Sequence, residues 1–140
     1  IDTIARDHPV LIPIHPRTRK NMERFRQTFA SAKAIAPVGY LEMLSLMGSA
    51  GLVVTDSGGI QEETTALGVP CLTLRSTTER PITIDEGTNV LVPVRSKGAI
   101  LEAFRHQWRR DVSSHLPELW DGKAADRIAD AIEAWAGQRS

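Results

Sequence analysis

The sequence predicts an α/β fold in which a parallel sheet is covered by helices on both faces. Three observations carry this prediction. Short apolar runs recur along the chain, most of them precede a stretch with apolar residues at helical spacing, and glycine or proline marks several of the boundaries. Strands that alternate with helices at this spacing are typical of βαβ units, in which the strands run parallel.

Five strands are predicted from the apolar runs. The third is the clearest and the second is the weakest. Pro13 interrupts the first. The predicted ranges are 10–14, 32–36, 52–55, 71–74 and 89–93.

Helices are predicted between and after these strands. Met22, Phe25 and Phe29 recur at helical spacing, and the helix after the third strand is expected to end at Gly68, with Pro70 soon after. The predicted ranges are 17–29, 40–48, 59–67, 97–109 and 123–135. Residues 1–9 resemble the last turns of a further helix and do not begin with Met, so we expect the chain to be a piece of a larger protein.

The composition excludes several classes of function. At 140 residues the chain suits one domain with a modest core. Its 17 basic residues balance its 17 acidic residues, so no nucleic-acid or membrane partner is predicted. The single cysteine, Cys71, excludes an internal disulfide and is interpreted as a small core residue. No secretion signal or apolar run of about 20 residues occurs, which predicts a soluble, cytoplasmic protein.

The junction after the third strand has the pattern of an anion site. Asp56, Ser57, Gly58 and Gly59 follow that strand and precede a helix. In parallel sheets ligands bind beyond the carboxyl ends of the strands. Glycines let the backbone turn sharply and let a ligand approach it, while the free N–H groups of the next helix attract an anion. A phosphate group is therefore the predicted ligand.

A purely structural role for this junction stays open. Asp56 or Ser57 would cap the helix, and neither GxxxxGK[ST] nor GxGxxG occurs in the chain. However, Gln61, Glu62 and Glu63 crowd the first turns of the helix, and a carboxylate one turn beyond a phosphate site can accept hydrogen bonds from ribose hydroxyls. The pattern favours a nucleotide.

The loop of residues 75–81, after the next strand, contains a second candidate. Arg80 has a planar guanidinium that can donate two hydrogen bonds to a diphosphate or a sugar hydroxyl. The alternative is a surface ion pair with Glu79 or Glu86. We favour ligand binding, because two loops suited to anions follow consecutive strands.

No metal site is predicted. His8, His106 and His115 stand in or beside helical segments without the spacing of metal ligands.

The ordered motifs TDSGGIQEE, LGVPCLTLR, TERP and GTNVLV resemble the non-hydrolysing UDP-N-acetylglucosamine 2-epimerases. The resemblance runs from about Pro13 to Val92. It implies a two-domain fold like that of glycosyltransferase-B enzymes, with the active site between two Rossmann-like halves and this chain as the C-terminal half, residues 1–140. Members of the family convert UDP-GlcNAc to UDP-ManNAc by anti elimination of UDP to a 2-acetamidoglucal and re-addition of UDP.

The resemblance assigns roles to residues of this chain. Ser57, Gly58 and Gly59 would bind the diphosphate, Glu63 the ribose hydroxyls, and Arg80 the diphosphate or the sugar. The same residues stand out from the physical reasoning above.

Three further positions carry assignments from the resemblance. Val38 and Met43 lie on the uracil side, where family members place Gln and Phe; a backbone contact at Val38 and packing of Met43 against the base tolerate these changes. His15 lies near the interdomain cleft, where a second, activating UDP-GlcNAc is expected, although a structural role for a lone histidine is an equal alternative. The acids that move protons come before this chain, so no catalytic residue is assigned in it.

The resemblance also implies partners. They are a UDP-sugar substrate, the N-terminal domain of the same protein and a second copy in a homodimer, with no cofactor and a place in polysaccharide biosynthesis. Four alternatives remain open. They are a nucleotide-sugar-binding domain of a glycosyltransferase, an epimerase for a related UDP-diacetamido sugar, a hydrolysing relative that releases UDP and free ManNAc, and a domain that keeps the fold without a ligand.

Overall fold

The computed structural model describes residues 1–93, 96–112 and 116–138. The chain divides into two compact units, Ile1–Leu46 and Met47–Ser140. In chain order its elements are α1 (Asp2–Ala5), β1 (Leu11–Pro13), α2 (Pro16–Arg24), β2 (Lys33–Ile35), α3 (Tyr40–Gly48), β3 (Val53–Thr55), α4 (Gly58–Leu67), β4 (Cys71–Thr73), α5 (Ile82–Asp85), β5 (Asn89–Leu91), α6 (Lys97–Gln107) and α7 (Ala124–Gly137).

The predicted elements are present, and every strand pair is parallel. The described strands form two hydrogen-bonded sets, β1 with β2 and β3 with β4 and β5, in place of one continuous ladder. The prediction that α2 reaches Phe29 is wrong, because the helix ends at Arg24 and Arg26 adopts a left-handed conformation with φ 50°. Helix α5 was not predicted, since four residues are too few to show a periodicity.

The unit of residues 1–46 is built around the short β1–β2 ladder. Pro13 lies within β1, and the next N–H, that of Ile14, donates to the carbonyl of Ile35 at 3.0 Å. The carboxylate of Asp2 in α1 accepts hydrogen bonds from the N–H groups of Ser31 and Ala32. These bonds, with that of Ser31 the strongest influence, hold the pKa of Asp2 below its usual range. They tie α1 to the segment that leads into β2.

The unit of residues 47–140 is built around β4, the central strand of the order β3–β4–β5. All three residues of β4 are fully buried, and α4 contacts each strand of this sheet. The interpretation of Cys71 as a core residue is confirmed, and its burial raises the pKa of the thiol to about 11. The predicted end of α4 is also confirmed, since Gly68 caps it in the left-handed conformation.

Within the described residues, no helix has the length and apolar character needed to cross a bilayer.

Gly87 lies where no side chain fits. A Cβ at this position would come within 2.5 Å of the carbonyl oxygen of Thr83 and 2.8 Å of the hydroxyl of Thr65. We expect Gly87→Ala to lower the free energy of unfolding by about 1–3 kcal/mol, because α5 must shift to make room. Urea unfolding measures the loss, with Gly137→Ala as the control, since a Cβ there meets no other described residue within 4 Å beyond its own helix backbone and chain neighbours. Equal stability of the two variants would contradict this packing.

Candidate functional site

The two loops predicted to receive an anion leave the same edge of the sheet. Strand β3 pairs in parallel with β4, with Thr55 opposite Thr73. The ladder continues one step beyond the strands, where the N–H of Leu74 donates to the carbonyl of Thr55 at 2.7 Å. The prediction that these loops follow neighbouring carboxyl ends is therefore confirmed.

The start of α4 has no side-chain cap. Ser57 occupies the N-cap position with φ −84° and ψ 134°, but its side chain makes no capping hydrogen bond. Its own N–H donates to the hydroxyl of Thr55 at 3.0 Å. Because the first N–H groups of a helix have no acceptor within the helix, those of Gly58 and Gly59 are donors that the helix itself leaves unused. The alternative in which Ser57 acts as a side-chain cap is not what the structure shows.

Gly58 and Gly59 are not required by the backbone or by internal packing. Neither has a positive φ, so the backbone turn at this junction does not require the conformational freedom of glycine. Apart from the adjoining residues and the backbone of the helix itself, no heavy atom of the described residues lies within 4 Å of a Cβ built at either position. Glycine also lowers the stability of a helix relative to alanine. Glycine therefore leaves the backbone at these two positions without a side chain, so that a ligand can approach it.

The two adjacent carboxylates of α4 differ in their contacts. Glu62 forms an ion pair with Arg80, whose Nε lies 2.9 Å from Oε1, and both side chains are more than two-fifths exposed. Glu63 is half-buried, and no ion pair or hydrogen bond of its carboxylate is found among the residues that the structure describes. Glu63 is thus the acidic group of α4 with acceptor capacity to spare.

The sequence suggested an ion pair with Glu79 or Glu86 as the alternative role of Arg80. The structure pairs Arg80 with Glu62 instead. Glu79 is held by Arg75 in a two-pronged pair, with nitrogen–oxygen distances of 2.8 and 2.9 Å. This pairing lowers the pKa of Glu79 and raises that of Arg75. Arg80 turns to Glu62, which brings its loop against the first turns of α4.

A buried polar network beneath these loops was not predicted. Gln61 is fully buried; its Nε2 donates to the carbonyl of Ser57 at 3.2 Å, and its Oε1 accepts from the hydroxyl of Thr78 at 2.6 Å. The backbone carbonyl of Gln61 accepts from Nδ2 of Asn89 at 2.9 Å. The hydroxyl of Thr73 donates to Oδ1 of Asn89 at 3.0 Å. No buried side-chain nitrogen or oxygen in the described part of the chain lacks a partner.

The sequence contained a signal for this network. Gln61, Thr64 and Thr65 stand at the spacing i, i+3, i+4, which defines one face of a helix, and that face is the buried one. Polar residues on a buried helix face indicate hydrogen-bonded partners in the neighbouring elements.

The remaining predicted residues belong to the other unit, Ile1–Leu46. His15 is the N-cap of α2, and its Nδ1 accepts from the N–H of Arg17 at 3.2 Å, which is the structural role foreseen for it. Val38 is half-buried and lines a surface pocket with Ile35, Leu41, Glu42, Ser45 and Leu46. Met43 is half-buried on α3.

In residues 1–93, 96–112 and 116–138, no group of three or more histidine, cysteine, aspartate or glutamate side chains is placed to hold a metal ion. His115 lies outside these residues.

Parallel strands with a glycine-led helix at the carboxyl edge define a Rossmann-like α/β domain. The chain belongs to the UDP-N-acetylglucosamine 2-epimerase family, whose model matches residues 1–133. It is 48% identical over 127 residues to the UDP-N-acetylglucosamine 2-epimerase of Methanocaldococcus jannaschii, covering 87% of this chain and 34% of that protein. It is 40% identical over 124 residues to the UDP-2,3-diacetamido-2,3-dideoxy-D-glucuronate 2-epimerase of Pseudomonas aeruginosa, covering 89% and 34%.

Solved structures agree with this assignment. The crystal structure of the M. jannaschii enzyme in complex with UDP-GlcNAc and UDP matches with a TM-score of 0.77 and 36% identity, over 95% of this chain and 38% of that one. The putative epimerase of Listeria monocytogenes matches with a TM-score of 0.75 and 31% identity, over 95% and 37%. The predicted Rossmann-like α/β class is confirmed, and the chain spans about a third of the length of these relatives.

Gly58→Val tests whether the open backbone receives phosphate. Since a Cβ meets nothing within 4 Å, the variant is expected to fold, while its branched side chain covers the N–H groups of the helix start. We expect its affinity for UDP to fall by at least about tenfold, because hydrogen bonds to charged groups are lost. Calorimetry measures this, with Ala66→Val on the exposed part of the same helix as the control. Undiminished affinity in folded Gly58→Val would place the phosphates elsewhere.

Proposed function

We propose that this chain is the C-terminal, UDP-binding domain of an epimerase that interconverts UDP-GlcNAc and UDP-ManNAc. The observation that carries the proposal is the uncovered start of α4 at Gly58 and Gly59, in a chain of the 2-epimerase family. The related enzyme of M. jannaschii has been crystallised in complex with UDP-GlcNAc and UDP. Family membership favours an epimerase over a glycosyltransferase, which shares the fold.

Five residues would hold UDP. The N–H groups of Gly58 and Gly59, with the hydroxyl of Ser57, would donate to the diphosphate, aided by the positive end of the α4 dipole. Glu63 would accept from the ribose hydroxyls, for which its unpaired carboxylate is suited. Arg80 would contact the diphosphate or the sugar.

Three residues of Ile1–Leu46 complete the proposed set. Val38 and Met43 would contact uracil, supported by the family resemblance and, for Val38, by the pocket that it lines. His15 would face the cleft and an activating UDP-GlcNAc. The use of its Nδ1 as acceptor supports this role, because the neutral ring then carries its proton on Nε2, which can donate.

The proposed chemistry needs groups beyond those assigned here. A proton leaves C2 as the bond from C1 to UDP breaks, giving the glucal; UDP then adds back to C1 while C2 receives a proton on its opposite face. This chain would hold UDP and stabilise the negative charge that grows on it as the bond breaks. The proton-moving acids would come from an N-terminal domain of the same protein.

We also propose a homodimer, a cytoplasmic location and a role in polysaccharide biosynthesis, all supported by the family resemblance.

A second candidate substrate is a UDP-diacetamido sugar. The relative from P. aeruginosa, which is 40% identical, is named for such a sugar. Incubating the complete protein with each UDP-sugar and separating the epimers distinguishes the two substrates.

Glu63→Gln tests the ribose contact. It replaces a charged acceptor by a neutral one, so we expect UDP affinity to fall by roughly 10- to 150-fold, because hydrogen bonds to charged groups are worth about 1.5–3 kcal/mol and about 1.4 kcal/mol is tenfold. Affinity for the 2′,3′-dideoxy analogue of UDP should stay the same. Glu102→Gln, exposed on α6, is the control. Equal losses for both nucleotides would show that Glu63 acts on something other than the ribose.

Deuterium exchange tests whether the proton-moving acids lie outside residues 1–140. In deuterated water the complete protein should place deuterium at C2 of UDP-GlcNAc, because epimerisation passes through loss of that proton. The chain of residues 1–140 should bind UDP weakly and exchange nothing. Exchange by these 140 residues alone would locate the acids within them, and a complete protein that epimerises no UDP-sugar would overturn the proposed function.

A further inference from the structure

The strongest unassigned feature of this site is the fully buried side chain of Gln61. We propose that Gln61 is a positioning residue, whose amide sets the spacing between the start of α4 and the loop that carries Arg80. The inference rests on the proposed function, because these are the two elements that would grip the diphosphate.

A continuous line of hydrogen bonds supports this role. Nε2 of Gln61 donates to the carbonyl of Ser57 at 3.2 Å, directly before the glycines. Oε1 accepts from the hydroxyl of Thr78 at 2.6 Å, and the same hydroxyl accepts from the N–H of Arg80 at 3.0 Å. The line therefore runs from the backbone of one loop to the backbone of the other, through a single buried side chain.

The chemistry of the partners fixes the orientation of the amide. The carbonyl of Ser57 can only accept, so the nitrogen of Gln61 must face it. The oxygen of Gln61 then faces Thr78, whose hydroxyl must donate to it and is left to accept from Arg80. Only one assignment of donors and acceptors satisfies all of these groups, so the geometry of the link is specific.

The sheet anchors this link. The backbone carbonyl of Gln61 accepts from Asn89, and Asn89 in turn accepts from the hydroxyl of Thr73 on the buried strand β4. The backbone of Gln61 is thus fixed to the sheet through Asn89, and its side chain holds Thr78 in place by a hydrogen bond. By contrast, the ion pair of Arg80 with Glu62 is more than two-fifths exposed, so water and salt weaken it.

Spacing matters for a ligand that is held from two sides. Displacement of a binding group by about 1 Å is enough to reduce binding or catalysis strongly. Without the bond between Gln61 and Thr78, the polar contact that remains between this loop and α4, among the residues that the structure describes, is the exposed ion pair of Arg80 with Glu62. Affinity for the diphosphate should then fall, and affinity for the nucleoside part should not.

The test compares two ligands in the complete protein. Gln61→Met keeps the length of the side chain and removes both hydrogen bonds, and Thr78→Val removes the link from the loop side. We expect each to raise the Kd for UDP by roughly tenfold and to change the Kd for uridine less than about twofold. The control is Thr64→Val, since Thr64 is equally buried but bonds within its own helix.

The outcomes separate the two proposals. Unchanged UDP affinity, or equal losses for UDP and uridine, would overturn the role of Gln61. Should Gln61→Met fail to fold, Thr78→Val provides the same comparison, because Thr78 lies in a loop and is only half-buried.

A measurement without ligand tests the positioning role of Gln61 even if the protein does not bind UDP. Hydrogen exchange of the Arg80 amide should quicken by about tenfold in Gln61→Met and stay unchanged in Thr64→Val, because the acceptor of that amide, Thr78, loses its anchor. Absence of UDP binding by the unmodified protein would overturn the proposed function alone. An Arg80 amide that exchanges equally in all variants would overturn the positioning role.

Discussion

Parallel pairing of β3 with β4, with Thr55 opposite Thr73, is the constraint on which the site depends. Parallel strands end at the same edge of a sheet, so the start of α4 and the loop before α5 are brought together by the ladder itself. The central strand β4 is buried along its whole length, and its register places the hydroxyl of Thr73 on Oδ1 of Asn89, a buried hydrogen bond that a shift of register would break. The candidate site therefore takes its geometry from the best-buried part of the unit.

Helix α4 is held against this sheet by directional contacts. Its buried face carries Gln61, Thr64 and Thr65 where a leucine stripe would be usual. Nδ2 of Asn89 in β5 donates to the carbonyl of Gln61 and to the hydroxyl of Thr65, whereas the hydroxyl of Thr64 bonds within the helix. A net hydrogen bond is worth about 0.5–1.5 kcal/mol, but a buried group left without a partner costs about 1–3 kcal/mol. Hydrogen bonds across such an interface favour one relative position of helix and sheet. An apolar interface of similar area would allow small displacements of α4 along the sheet. Binding of one ligand by two loops requires a fixed spacing between them and would be weakened by such displacements.

Charge at the edge of the sheet is arranged locally. The chain is neutral in total, yet the edge combines a helix N-terminus and two arginines with four carboxylates, those of Asp56, Glu62, Glu63 and Glu79. Arg75 is occupied by Glu79 and Arg80 by Glu62, so an incoming diphosphate would compete for Arg80 with a single, exposed carboxylate. Glu63 remains as an acceptor. This balance suits a ligand that carries anionic phosphates beside neutral hydroxyl groups.

The sequence by itself determined the local features of this protein. Periodicity located the strands and main helices, Gly68 marked the end of α4, and the residues after β3 and β4 indicated the anion site, because each signal lies within a few neighbouring residues. Only the tertiary structure decided that α2 stops at Arg24, that Arg80 pairs with Glu62, and that Gln61 joins the two loops. The bonds of Gln61 to Thr78 and Asn89 connect residues 17 and 28 positions apart, and no local pattern specifies a partner at that separation. Such pairs form only because the sheet brings distant segments to one edge.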